Sequence, residues 1–154
     1  MYNTELQQEI KQDEGLVLLA YRDTLGHLTI GHGRCLDTNP LSTYELNVIG
    51  HDCTRLPITK KDAHFLFMQD YVKAVAWVNG SFQQLPKTAR EVLINMTYNI
   101  GPAGVMKFRR VLSNLKAQNY EQAANELLNS LWARQVKSRA VRLAEKLRSC
   151  ASGN

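Results

Sequence analysis

The chain has 154 residues, is 44% hydrophobic, and sets 19 Lys and Arg against 14 Asp and Glu, for a formal charge of +5. That length and composition allow a sizeable buried interior and exclude a disordered or low-complexity polymer. No apolar run is long enough to span a bilayer. Cys35, Cys53 and Cys150 are odd in number and widely spaced, which excludes a disulfide framework. Met1-Tyr2-Asn3-Thr4-Glu5-Leu6 lacks the positive and apolar regions of a secretory signal, so synthesis and storage in a cytoplasm with reduced thiols are expected.

In chain order, Leu6 and Ile10 at four-residue spacing predict a helix over 4–14, stopped at Gly15. Val17–Arg22 and Leu28–Gly33 read as strands of a hairpin turning at Asp23-Thr24-Leu25-Gly26. Gly31 and Gly33 alternate on the second strand, where a missing side chain admits a close backbone or ligand. Leu36–Pro40 is a turn or loop, and 41–50 reads equally as a short strand or a short helix. Thr59-Lys60-Lys61-Asp62 is a capping box with Asp in place of Glu, opening a long helix expected to stop at Gly80.

Beyond that helix the strand pattern ends. Pro86 opens a helix closed by Gly101-Pro102, and another runs from Gly104 to about Asn114. Asn119 caps a helix to about Asn129, and a turn surrounds Trp132. Ser138 caps the last helix, and Ala151–Asn154 reads as a loose tail. Strand and helix runs segregate, so the fold class is α+β. The organisation expected is one domain over 1–154: a sheet-bearing lobe at 13–59, a connecting helix at 60–80 and a helical lobe at 81–154, with helix 4–13 packed near the last.

Charge is uneven. Acids and bases balance up to Ser130, and the excess lies in Arg134, Lys137, Arg139, Arg142, Lys146 and Arg148, opposed there by Glu145. A basic face favours an anionic partner such as a bacterial envelope or nucleic acid; its alternative is a solvated helix surface without a ligand.

The stretch from Asp13 to Gly33 concentrates the reactive side chains. Glu14 ends the first helix, Asp23 sits at the hairpin turn, and Thr29 lies on the returning strand. Cleaving a glycosidic bond through an oxocarbenium-like transition state needs an acid to protonate the leaving oxygen and a second carboxylate across the sugar ring. Alone, each residue has a plainer explanation: a helix-end charge, a turn former and a strand former. Those explanations give way only because the three occur together at the spacing of a known family. His32 with Cys35, and His51 with Cys53, fit no familiar zinc spacing, so no metal or other cofactor is expected. Trp77 and Trp132 read as packed against helices.

Asp13-Glu14-Gly15-Leu16, Tyr21, Asp23-Thr24, Gly26 and Thr29-Ile30-Gly31 together resemble the T-even phage-type lysozymes, or endolysins. The family spacing, eight residues between Glu and Asp and five between Asp and Thr, is kept by Glu14, Asp23 and Thr29. The likeness continues through Ile58-Thr59-Lys60, Gln69-Asp70, Ile94-Asn95-Met96, Gly104-Val105, Phe108, Ala123-Ala124, Trp132, Gln135 and Arg139-Ala140.

The resemblance implies a lysozyme that hydrolyses the β-1,4 bond between N-acetylmuramic acid and N-acetylglucosamine, with inversion, in a cleft between two lobes. It implies that Glu14 is the general acid, held by Arg139, that Asp23 is the ionised partner, and that Thr29 orients the water. It places substrate-binding positions at Cys35, Tyr98, Val111 and Glu126. Of these, Tyr98 keeps a sugar-stacking aromatic, while Cys35, Val111 and Glu126 depart from the family's residue types. Arg34 stands where the family carries a His paired to an Asp, here Asp70. The role implied is lysis of a host cell from within at phage release; without an export signal, holin-dependent access to the wall is expected, with no dedicated nucleic-acid partner and a monomer as the default state. The competing reading is a non-catalytic wall-binding or nucleic-acid-binding protein on the same scaffold; an intact Glu14, Asp23 and Thr29 weighs against it.

Overall fold

A computed structural model describes residues Asn3–Ser152. The start of the hexapeptide read for a signal and the last two residues of the expected tail, Gly153 and Asn154, lie outside the described residues. The order is α1 (Thr4–Glu14), β1 (Val17–Arg22), β2 (Leu28–Gly31), β3 (Arg34–Cys35), α2 (Thr43–Ile49), α3 (Lys60–Ser81), α4 (Lys87–Met106), α5 (Arg109–Lys116), α6 (Tyr120–Leu128), α7 (Leu131–Val136), α8 (Ser138–Ser149) and a closing 3₁₀ turn (Cys150–Ser152). One antiparallel sheet and a helical remainder make the fold α+β and lysozyme-like. The chain forms two compact units, Met1–Val72 and Lys73–Asn154, with the division falling inside α3. No described helix is long and apolar enough to cross a membrane.

In the first unit, Asn3 caps α1 by accepting the Leu6 N–H, and the Gly15 N–H closes the other end on Lys11 O at 2.8 Å. Strands β1, β2 and β3 pair in sequence order, with Tyr21 opposite Thr29 and Thr29 opposite Cys35. The register of β1 shifts between Val17 and Tyr21, and within that bulge Leu18 O accepts the Ile58 N–H at 2.8 Å. Ile30, Leu36, Cys53, Ile58, Ala63 and Leu66 form the buried cluster beneath the sheet. The approach permitted by Gly31 is used by α3: a Cβ there would meet Ala63 Cβ at 3.8 Å.

The second strand is shorter than its sequence predicts, because Gly31 and Gly33 both take positive φ and turn the chain into β3. The undecided 41–50 segment is helical. Its signal was a complete capping box, with Ser42 accepting the Glu45 N–H and Glu45 accepting the Ser42 N–H. The Thr59–Asp62 box expected for α3 is present at 3.0 Å in both directions. The helix ends at Ser81, one residue beyond the expected stop at Gly80, and Phe82 just after it is buried edge-on to Trp77.

Arg34 is the largest electrostatic commitment of this unit. Its guanidinium is 2% exposed and faces Glu45, 4% exposed. Nη2 meets Glu45 Oε1 at 2.7 Å, and Nη1 meets Glu45 Oε2 at 3.0 Å and Asp70 Oδ2 at 3.3 Å. Nε and Nη2 also donate to the carbonyls of Asn39 and Pro40. The expected Arg34–Asp70 pair therefore exists, with Glu45 as a closer partner. Burial alone would raise the Glu45 carboxyl's proton affinity, but the Arg34 hydrogen bonds and charge, with the Ser42 N–H and hydroxyl, bring it net below the ordinary value.

In the second unit, α8 packs on α6, α4 and α7. Its core includes Leu93, Met96, Leu127, Leu143 and Leu147, all fully buried. Helix α4 breaks at Gly101, φ 75° and ψ 168°, just before Pro102, so the predicted stop is a kink after which the helix resumes to Met106. A second break at Lys107-Phe108 divides what the sequence presents as one helix from Gly104. The Trp132 segment is helical rather than a turn, because the Ser130 hydroxyl accepts the Ala133 N–H as an N-cap. Ser138 begins α8 but is not its cap; Lys137, at φ 53°, makes that corner with no side-chain cap bond. Ala151 and Ser152 belong to the 3₁₀ turn.

The basic face is smaller than its sequence suggests. Arg139 is buried, donating through Nε to Asn95 Oδ1 at 2.8 Å. Arg148 is engaged by Glu121, by Glu145 and by Asn125 Oδ1. Cys53 and Cys150 are buried, and burial raises both thiols above the ordinary value.

Glu45→Gln leaves a buried guanidinium short of charge and is expected to cost about 3–5 kcal/mol at neutral pH. Because folding holds the Glu45 proton affinity down, the ion pair stabilises above the ordinary carboxyl value and is lost as pH falls through the lower folded one. Urea unfolding at neutral and acid pH should show the gap between wild type and variant narrowing on acidification.

Candidate active site

Glu14 is the last residue of α1 and is half-buried. The backbone that receives its carboxyl is Gly33, at φ 77°. A Cβ placed on Gly33 would stand 2.5 Å from Glu14 Oε2 and 3.0 Å from Cδ. The close approach read for this glycine is therefore made by the candidate acid itself. Only a residue without a side chain satisfies both the left-handed φ and the space that the carboxyl fills.

Asp23 is held as firmly by different means. Its Oδ1 accepts the N–H groups of Leu25 and His27, each at 2.9 Å. The turn closes through Gly26 N–H to Asp23 O, and Asp23 N–H donates to His27 O. Such an Asx arrangement fixes the carboxylate plane as well as the chain reversal. His27 Nδ1 lies 3.8 Å from Oδ2, and the Asp23 side chain keeps 33% exposure. Sequence reasoning missed Asp37, which supports this hairpin. Its Oδ2 accepts the Leu28 N–H at 2.9 Å and meets Arg22, whose guanidinium also donates to Gly26 O at 2.8 Å.

Thr29 is 8% exposed on β2, between Tyr21 and Cys35 in the ladder. Its hydroxyl donates to His27 O at 3.2 Å, which leaves the oxygen's lone pairs able to accept a hydrogen bond from a ligand. Glu14, Asp23 and Thr29 thus belong to one unit, on or beside one sheet, along with Cys35, which is half-buried across from Thr29.

The other substrate-binding candidates lie in the second unit. Val111 and Glu126 line one pocket of about 750 Å³ with Phe108, Trp132, Lys107 and Arg110. Val111 is 2% exposed and forms wall rather than a polar contact. Glu126 Oε1 accepts from Gln122 at 3.4 Å and lies 4.0 Å from the Arg110 guanidinium. Trp132 is packed, as expected: it is 6% exposed, meets Phe108 edge-on at 6.1 Å, and donates Nε1–H to Asn99 Oδ1 at 2.8 Å. It lines the pocket all the same. Tyr98 is half-buried on α4 and is not part of that lining.

The histidines of the weak zinc readings make other contacts. His32 Nδ1 lies 2.8 Å from Gly15 O, and His51 Nε2 lies 2.9 Å from Pro57 O. Among the described residues no group of three or more His, Cys, Asp and Glu side chains is placed to hold a metal ion.

Comparison with known proteins adds a relationship to this geometry. Residues 11–147 match the family model described as phage lysozyme. The chain is 32% identical to the pre-baseplate central spike protein Gp5 of Enterobacteria phage T4, over 92% of this chain and 27% of that protein. It is 28% identical to probable T4-type lysozymes 2 and 1 of Dictyostelium discoideum, over 91% of this chain and 91% of each.

Gly33→Ala forces a Cβ into the Glu14 carboxyl at an unfavourable φ. The expected cost is about 1–3 kcal/mol by denaturant unfolding, with a displaced Glu14 side chain in a crystal structure of the variant.

Proposed function

This chain belongs to the phage lysozyme family, whose members are glycoside hydrolases, and on that ground we propose that it is a muramidase acting on the β-1,4 bond between N-acetylmuramic acid and N-acetylglucosamine. The observation that carries the reading is the seating of Glu14 on Gly33 beside a hairpin that carries Asp23 at its turn and Thr29 on its second strand. Two carboxyl groups fixed by unlike means, one on bare backbone and one in an Asx turn, suit unlike roles.

Glu14 gives its proton to the glycosidic oxygen as the bond to the anomeric carbon breaks. Asp23 remains charged, stabilises the oxocarbenium-like sugar and takes a proton from the attacking water. Thr29 accepts a hydrogen bond from that water while its own hydrogen points to His27 O. The outcome is inversion, which requires the two carboxyl groups to stand roughly 6.5–9.5 Å apart.

The substrate-binding positions proposed are Cys35 in the first unit and Tyr98, Val111 and Glu126 in the second. The pocket containing the last two combines an apolar wall with Lys107, Arg110 and Glu126, a lining suited to a stem peptide bearing both carboxylates and an amine. The physiological role is lysis of the host cell at phage release. The enzyme stays in the cytoplasm until a holin-type lesion admits it to the wall, and it works as a monomer without a cofactor.

Purified wild type should clear peptidoglycan suspensions, and Glu14→Gln should lose at least about 100-fold in rate. NMR of the first-released sugar should show the α anomer. A β product would replace inversion by retention, and no clearing by wild type would remove the muramidase reading. Glu126→Gln should raise KM on peptide-bearing wall while leaving KM on chitooligosaccharides unchanged.

A further inference from the structure

The mechanism above leaves the basic cluster around Phe67 unused. His32 Nδ1 lies 2.8 Å from Gly15 O; a carbonyl only accepts, so Nδ1 carries the hydrogen. Gly15 follows Glu14 and Gly33 follows His32, so this bond ties the backbone just after the acid to the turn on which the acid's carboxyl rests. On α3, His64 Nδ1 lies 2.7 Å from Lys11 Nζ. An ammonium only donates, so His64 Nδ1 accepts and its hydrogen sits on Nε2. Phe67 serves as common floor: His32 meets it edge-on at 5.7 Å, His64 stacks at 6.5 Å, and Lys11 Nζ lies 5.1 Å from the ring centre. Lys11 is one turn before Glu14 on α1, and its carbonyl receives the Gly15 N–H.

We propose that Lys11, His32 and His64 are positioning residues that brace the Glu14 end of α1 against α3 and the β2–β3 turn, and that the brace holds only while His64 is neutral. The proposal rests on the role given to Glu14. Protonating His64 puts an N–H where the Lys11 ammonium needs an acceptor, which removes that bond and opposes two cations. His32 donates through Nδ1 in either protonation state, so its link to Gly15 persists.

The titratable groups facing His64 are Lys11 from α1 and His32 from the turn. His64 is exposed at the surface; partial desolvation of its ring, and then the Lys11 charge, lower its proton affinity. Burial does the same for His32, helped by Lys11 and His64 and opposed by the Gly15 hydrogen bond. Both groups bind protons more weakly folded than unfolded. Their stabilisation is therefore present above the ordinary imidazole value of 6.5 and is lost as pH falls below it.

The test measures kcat and KM across acid and neutral pH on soluble peptidoglycan fragments. His64→Gln offers Lys11 an acceptor that does not titrate, so the acid limb of kcat should move to lower pH. His64→Ala and His32→Phe should lower kcat about tenfold or more at unchanged KM, with native circular dichroism. In parallel, the His64 ring titration followed by NMR should move to higher pH in Lys11→Met. A wild-type acid limb in His64→Gln, or an unmoved His64 titration in Lys11→Met, overturns the brace. A wild type without hydrolysis overturns the muramidase reading instead, and the NMR arm still decides the brace.

Discussion

The first unit is built around a guanidinium buried away from the surface, with its side chain 2% exposed. Arg34 has five N–H donors, and among its hydrogen bonds are two to Glu45 and one each to Asp70, Asn39 O and Pro40 O. Those partners come from α2, α3 and the loop after β3, so one side chain sets where three segments meet its strand. Burying this charge is tolerable only because every donor is used and a carboxylate faces it end to end. A titrating residue could not hold the position across pH, whereas arginine keeps its charge throughout.

That junction is adjacent in sequence to the candidate acid's support. Gly33 precedes Arg34, so the backbone under the Glu14 carboxyl is anchored one residue away by the buried ion pair. Asp23 is held by its own turn and by the Arg22–Asp37 pair. The two carboxyl groups thus depend on separate supports, and a defect in one need not disturb the other.

Local features of this arrangement were legible in the sequence. The bounds of α1 and β1, the cap of α3 and the break at Gly101 each follow from a few neighbouring residues. Two further local signals were present and missed: Ser42-x-x-Glu45 before α2, and Ser130 before α7. The end of α3 was legible to within one residue, at Gly80 against Ser81. The spacing of Glu14, Asp23 and Thr29 marked the candidate site, and Gly33 was singled out, though not as the seat of Glu14. Lys11–His64 and Asn99–Trp132 are pairings between distant stretches, and Arg34–Glu45 joins a strand to the next helix across a loop. Nothing in the local pattern of either partner specifies the other, so only the folded chain brings them into view.

The cysteines show how burial settles chemistry as well as packing. Cys53 sits in the cluster beneath the sheet and Cys150 in the turn that ends α8, and both thiols hold their protons more tightly than free cysteine. A thiol that seldom ionises is a poor nucleophile toward disulfides and oxidants. At these two positions sulfur contributes packing and a weak hydrogen bond, to His51 O from Cys53 and to Lys146 O from Cys150, rather than reactivity.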